Sequence, residues 1–216
     1  MTSRTILAIE TSTRSARIAV VRGEEVLFKD SYISERSHNA RIFEPLGRAL
    51  ASHSDLDGIT IGTGPGSYVG IRIGISTAVG ISLIRSIPLF GLPSLVGMVD
   101  SEGTPVTTFR AVGDARRGQL WTAKIEDGAL TEPPLAQSTE NTQSILEDCD
   151  LPLYTPDEAS PLAELDIALV RPSSVELARR TAALPDEAFA KLAQTPPSPI
   201  YLAAPFVTQP AKAGKA

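Results

Sequence analysis

Gly62-Thr63-Gly64-Pro65-Gly66-Ser67-Tyr68-Val69-Gly70-Ile71-Arg72-Ile73-Gly74 places five of the chain's sixteen glycines in one short run. An apolar, strand-like stretch (residues 59–61) precedes it and a longer apolar segment (residues 71–84) follows. Glycine is needed where φ is positive or where backbone approaches another group closely. A Gly-rich turn between strand and helix can offer backbone N–H groups to an anion. It can equally be a tight turn that brings a helix close. No Gly-Lys-Ser/Thr follows, so the run is not a Walker loop, nor does it carry the Gly-x-Gly-x-x-Gly dinucleotide spacing. Ser67 stands where a helix N-cap would satisfy orphan amides.

Upstream, residues 5–10 form a short run rich in Ile and Leu that predicts a buried strand. Residues 16–21 and 26–32 follow as two more strands with the turn Arg22-Gly23-Glu24-Glu25 between them. Such short connections leave no room for crossover helices and predict an antiparallel meander. Residues 34–52 turn helical, with Phe43, Leu46 and Leu50 on one face and Pro45 inside, which predicts a kink or a late helix start. Residues 56–63 predict a fourth strand entering the Gly-rich run. Beyond it, Ile71, Ile73 and Ile75 alternate as in a strand, yet the length of the apolar segment favours a helix. In that helix Gly70, Gly74, Ala78 and Ser82 make a small-residue row, and residues 87–92 predict a fifth strand. The order βββαβαβ defines a mixed α/β domain over residues 1–99.

Residues 100–208 are expected to form a smaller α/β domain containing most of the chain's seventeen prolines. Residues 107–113 and 120–126 predict a strand pair joined through Asp114-Ala115-Arg116-Arg117-Gly118, residues 142–148 a helix, and residues 151–154 a strand. Pro172-Ser173-Ser174 opens a helix over residues 174–183, with Glu176 in its first turn. Residues 209–216, rich in Ala and Lys, are expected to be disordered.

The chemistry these residues support is narrow. The only histidines are His38 and His53, and the position four beyond His38 is Ile42, so no helical metal pair exists. Cys149 is the single cysteine, which precludes an intramolecular disulfide, and its flanks Glu147, Asp148 and Asp150 disfavour a reactive thiolate. Ser67 is not in a Gly-x-Ser-x-Gly elbow. Hence no catalytic residue and no metal ligand is assigned. Glu10-Thr11-Ser12, at the end of the first strand, is a polar turn suited to phosphate or simply to turning the chain. The net charge of −5 argues against a broad nucleic-acid surface. No signal-peptide core opens the sequence and no polar-free stretch reaches membrane-spanning length, so a cytoplasmic, non-membrane protein is expected.

In order, Ile6-Leu7-Ala8-Ile9-Glu10-Thr11-Ser12 resembles the first strand and phosphate turn of the actin/hexokinase/Hsp70-type (ASKHA) ATPase fold. With Arg36-Ser37-His38-Asn39, the Gly62–Gly74 run, Pro93-Ser94-Leu95 and Val112-Gly113-Asp114-Ala115-Arg116-Arg117, the chain resembles the TsaB (YeaZ) family over about residues 5–121, with Pro199-Ile200-Tyr201-Leu202 as a family-like ending. The resemblance implies two α/β subdomains with mixed sheets and a subunit without its own active site. It implies binding to TsaD, with the ATPase TsaE joining, in threonylcarbamoyl transfer to the adenosine beside the tRNA anticodon. ATP and metal are then expected on the partner subunits, and tRNA is met only through the complex. The catalytic paralogue's His-x-x-x-His pair is interrupted here by Ile42, and its Gly-Gly motifs have no counterpart. Glu10 stands where the family has Asp. Glu10, Thr11, Ser12, Gly64, Gly66 and Ser67 are thereby expected to be a vestigial phosphate or nucleotide turn. The family's partner-binding helix pair maps onto residues 37–50 and 70–84. Phe43, Leu46, Ile75 and Val79 are expected to supply apolar area, and Gly74, Ala78 and Ser82 a close approach. Without TsaD, the same surface is expected to pair two copies of the chain. The competing readings are a small-molecule kinase of the same superfamily and a peptidase.

Overall fold

The computed structural model describes residues 3–33 and 41–202. Strand β1 (Thr5–Glu10) is buried along its whole length, as its unbroken apolar run requires. It sits at the centre of a five-stranded sheet with β2 (Ser15–Arg22), β3 (Glu25–Ile33), β4 (Gly58–Gly62) and β5 (Leu89–Leu92), in the order β3-β2-β1-β4-β5. The first three strands form the expected antiparallel meander, while β4 runs parallel to β1 and β5 parallel to β4.

Alternate side chains divide the two faces of this sheet. Leu7, Ile9, Ile18, Val20, Ile59 and Ile61 form one core with helix α1 (Phe43–Ser52) and helix α2 (Tyr68–Arg85). Pro45 lies in the first turn of α1, where the missing N–H has no intrahelical partner to lose, so the helix runs on undisturbed. Segment 71–84 is helical, as its length indicates. The length and mean hydropathy of 1.3 of α2 match a membrane-spanning helix. In the fold it is the helix layer of a sheet, burying Gly70, Ile71, Gly74 and Ala78.

On the opposite face Ile6, Ala8, Ala19 and Val21 pack against Val96, Leu177 and Ala178. Leu177 and Ala178 belong to α4 (Ser174–Ala182), capped by the Ser173 hydroxyl, which accepts from Glu176 N–H. Thr60 of β4 donates a buried hydrogen bond of 2.7 Å to Thr181 of α4. Helix α4, from the second half of the chain, therefore covers a face of the first sheet.

The second sheet has the order β11-β10-β7-β8-β9, from β7 (Phe109–Arg116), β8 (Gln119–Glu126), β9 (Ala129–Ser138), β10 (Leu153–Thr155) and β11 (Ile167–Leu169). Phe109, Ala111, Trp121, Ala123 and Ile125 pack on Leu95, Met98 and Val170. Leu95 lies in a 3-10 turn, Ser94–Gly97, that precedes the short pair β6 (Met98–Val99) and β12 (Arg171–Pro172). The other face holds Val112, Leu120 and Leu162 with Leu146 of α3 (Thr139–Glu147). The 3-10 turn, the short strands β6, β11 and β12, and two longer elements are not foreseen by the sequence pattern. Strand β9 contains Pro133-Pro134 and survives as an edge strand with register shifts against β8. Helix α5 (Asp186–Ala193) buries no residue fully. Phe189 of α5 lies 4.4 Å from the Phe90 ring, beneath the guanidinium of Arg4, which also pairs with Asp186.

Candidate functional site

Glu10, Thr11 and Ser12 leave β1 directly under the N-terminus of α2, and the Gly-rich run closes over them. Ser67 N–H donates to the Ser12 carbonyl (2.7 Å), and Gly64 N–H donates to Ser94 Oγ (3.0 Å). The Thr11 hydroxyl donates to the Gly70 carbonyl (2.9 Å), tying β1 to the first turn of α2. Ser67 is the N-cap of α2, its hydroxyl accepting from Gly70 N–H (3.2 Å). Gly66, with φ of +154°, can be nothing larger, because a Cβ there would overlap the Ser12 carbonyl. All six turn residues named from the sequence are thus brought together.

What fills the turn is the chain's own carboxyl group. Glu10 is fully buried, and its Oε1 accepts the Ser12 amide at 2.6 Å. Its Oε2 faces Gly62, where a Cβ would overlap it and approach Ser94 Oγ to 2.7 Å. Burial pushes the Glu10 carboxyl above the ordinary carboxylate range, opposed by the Ser12 and Ser94 groups and by the Arg17 charge. Those hydroxyls lie near, but neither donates to Oε2 with hydrogen-bond geometry, and Ser12 Oγ is itself buried without a partner among the described residues. Arg17 donates to the carbonyls of Ser15 and Pro172 (both 3.1 Å), and burial lowers its pKa although Glu10 favours its charge. The nucleotide phosphate that this type of fold implies does not fit the turn as it stands. The Ser12, Gly64 and Ser67 amides that would face a phosphate are already bonded within the chain.

The expected interface residues divide in two. Phe43 and Val79 are exposed, whereas Leu46, Gly74 and Ala78 are buried in the chain's own core. Ile75 and Ser82 are half-buried, Ile75 against that core and Ser82 donating to the Ile87 carbonyl (2.7 Å). The small row therefore corrects the expectation: it admits α2 to its own sheet. A Cβ on Gly74 would overlap Thr11 Oγ1 and come within 2.8 Å of Ile61 Cδ1.

The outward face of α2 is a different set. Val69, Leu83 and Ile84 are 58%, 75% and 84% exposed, and Phe43 of α1 is 64% exposed. Phe43, Arg72, Ile73, Ser76 and Thr77 line a shallow hollow of about 290 Å³. Gly80 lies on this side, and a Cβ there would meet nothing within 4 Å among the described residues. Val69, Ile73, Ser76, Gly80 and Leu83 follow the four-three spacing of one helix face, a signal present in the sequence but masked by the inward row.

Other candidates are dispersed. His53 is half-buried at the C-cap of α1, and His38 lies outside the described residues, as do Arg36, Ser37, Asn39 and the tail from 209. Ile42, where the resemblance implied a metal-binding histidine in the paralogue, is a fully buried core residue. Among the described residues no group of three His, Cys, Asp or Glu side chains is placed to hold a metal ion. At the exposed β7–β8 tip, Arg116 pairs with Asp114 (3.0 Å), and Asp114 N–H donates to Asp157 (2.7 Å).

A family model described as TsaD, tRNA N6-adenosine threonylcarbamoyltransferase, matches residues 32–141, just over half of the 216-residue chain. An uncharacterized protein of Mycobacterium tuberculosis is 32% identical over 136 residues, which are 60% of this chain and 63% of that protein. The tRNA threonylcarbamoyladenosine biosynthesis protein TsaB of Bacillus subtilis is 31% identical over 134 residues, 59% of this chain and 58% of that protein. The match thus spans about three fifths of the length of these curated relatives. YeaZ from Pseudomonas aeruginosa superposes with a TM-score of 0.60 at 20% identity, covering 92% of this chain and 100% of that one. That superposition, with the mixed sheet order, identifies the fold as the actin-like α/β fold. From the family match over more than half its length, the relatives and the fold, the chain belongs to the TsaD-like family, in its TsaB/YeaZ branch.

Proposed function

We propose that this chain is a non-catalytic subunit that binds a TsaD-type partner and thereby supports threonylcarbamoyl transfer to the adenosine beside the tRNA anticodon. The observation that carries this reading is the apolar outer face of α2, with Val69, Leu83 and Ile84 exposed along it and exposed Phe43 of α1 beside Ile73 and Ser76 at its middle. Monomeric proteins rarely leave contiguous apolar area on a helix face unless something covers it. Ser76 and Gly80 on that face allow a second helix to approach closely. The names of relatives such as the Bacillus subtilis protein support the pathway.

In this account the partner supplies the reacting groups, ATP and metal, a TsaE-type ATPase joins the assembly, and tRNA is held by the complex in the cytoplasm. The chain's contribution is a rigid helix face, braced from beneath by Thr11 and Gly74. When the partner is absent the same face pairs two copies.

The test is a reconstituted transfer reaction with the TsaD-type and TsaE-type partners and tRNA. Product is expected only when this chain is added, and not with a Leu83→Glu variant of unchanged thermal stability. Full transfer in its absence would refute the proposal.

A further inference from the structure

We infer that Arg72, fixed on an aromatic platform of Tyr68 and Tyr201, is the charged anchor of the α2 face, and that the partner subunit meets it with a carboxylate. The inference rests on the partner-binding reading above and names the chemistry that this face selects.

Holding an exposed arginine in one place costs side-chain entropy. Arg72 is exposed on α2 and is held nonetheless. Its guanidinium lies 5.2 Å from the centre of the Tyr68 ring, and its Nη1 donates to the Tyr68 hydroxyl at 2.5 Å. Tyr68 in turn packs against Tyr201, with ring centroids 5.0 Å apart. Tyr201 arrives from the far end of the described chain, where Ile200 N–H donates to the Thr63 carbonyl (2.9 Å) just beyond β4. Two distant segments thus converge to fix one surface cation, and ordering it in advance lowers the cost of binding.

Three observations name the occupant. Arg72 lines the hollow beside Phe43 and Ile73, so the platform is continuous with the apolar face of α2. Tyr and Arg set against such area are the residues on which protein interfaces concentrate binding energy. Among the described residues no carboxylate pairs with Arg72, whereas Arg4, Arg48, Arg110 and Arg180 each hold one. Finally, α2 carries Arg72 and Arg85 but no Asp or Glu, in a chain whose net charge is −5. A fixed guanidinium with no acid on its own helix matches a carboxylate in geometry and charge. A second copy of the chain brings to the same place an α2 with two arginines and no acid, so its pairing is weaker than the partner's.

The experiment is isothermal titration calorimetry of the full chain with a TsaD-type partner, using wild type, Arg72→Ala, Arg72→Glu and Lys29→Glu. The last makes the same charge change as Arg72→Glu at an exposed residue of β3. Arg72→Ala is expected to weaken binding about 30-fold and Arg72→Glu further, while Lys29→Glu stays within about 2-fold of wild type. Reversing the exposed Asp and Glu residues of the partner's facing helices to Lys, one at a time, is expected to restore binding to Arg72→Glu at one position. Arg72 is exposed, so both of its variants are expected to melt as wild type does. Unchanged affinity in the Arg72 variants, an equal loss with Lys29→Glu, or no restoring reversal overturns the inference. So does an Arg72→Glu chain that keeps the partner but loses a labelled oligoadenylate bound by wild type, since the platform then stacks bases. If wild type itself binds no partner, the partner-binding reading falls with the inference; if it binds and the Arg72 variants bind as tightly, the inference falls alone.

Discussion

Two glycines six residues apart on α2 are expected to respond oppositely to the same substitution. In Gly74→Ala the new methyl overlaps Thr11 Oγ1 and meets Ile61 Cδ1 at 2.8 Å, and the Thr11 hydroxyl holds the Gly70 carbonyl at 2.9 Å. Overpacking a tight core costs about 1–3 kcal/mol, and losing that buried hydrogen bond costs about 1 kcal/mol. Replacing a mid-helix glycine by alanine returns about 1 kcal/mol. The net is a loss of about 2 kcal/mol, which lowers Tm by about 4–8 °C in a domain of this size. In Gly80→Ala the methyl has nothing within 4 Å among the described residues, so only the helix gain remains. Its Tm is expected to rise by about 2–4 °C. Differential scanning calorimetry on the two variants decides the matter. If Gly74→Ala is as stable as Gly80→Ala, α2 does not pack on β1 through its small row, and the assignment of its inner and outer faces falls.

The remaining expectations concern the two buried polar devices and the helix cap. Glu10 has its pKa raised by burial, so the folded state holds a proton that the unfolded state loses above about 4.5. That contribution is fully present below the unfolded value and is lost as pH rises toward the folded one. Glu10→Gln is expected to flatten this part of the stability–pH curve, read by urea titration from pH 4 upward, and an unchanged slope would contradict the assignment. Thr181→Val strips Thr60 of its 2.7 Å partner and is expected to cost about 1–3 kcal/mol, less when combined with Thr60→Val. A double-mutant cycle with no coupling would show that this bond does not hold α4 to the sheet. Ser67→Ala removes the α2 cap and is expected to cost about 1 kcal/mol in urea unfolding, an effect that Ser67→Asp reverses.

The elements most legible in the sequence are those whose pattern admits one solution. Ile6-Leu7-Ala8-Ile9 is apolar on both sides and is the central strand; Ser67 before a long apolar segment is the helix cap. The orientation of α2 is not legible, because small residues lie on two sides of it. Gly70, Gly74 and Ala78 form one row and Ser76 and Gly80 another, and periodicity alone does not say which meets the sheet. Only the overlap between Gly74 and Thr11 resolves it. Leu177 can be read as a helix residue but not as the cover of a sheet whose strands all lie far earlier in the chain. Strand β9 is hidden by its two prolines, and α5 by its lack of a buried face. In the site, the polar turn and the Gly-rich run are visible separately. Their closure over Glu10 depends on residue 62 having no side chain, which is a three-dimensional fact.

The most direct test of the account is light scattering coupled to size exclusion on this chain mixed with a TsaD-type partner, comparing wild type with Leu83→Glu. Leu83 is 75% exposed, so the substitution is expected to leave the fold's stability within about 0.5 kcal/mol. The account predicts a stable heterodimer for wild type and separate peaks for a folded Leu83→Glu. A heterodimer that forms equally well with Leu83→Glu would contradict it.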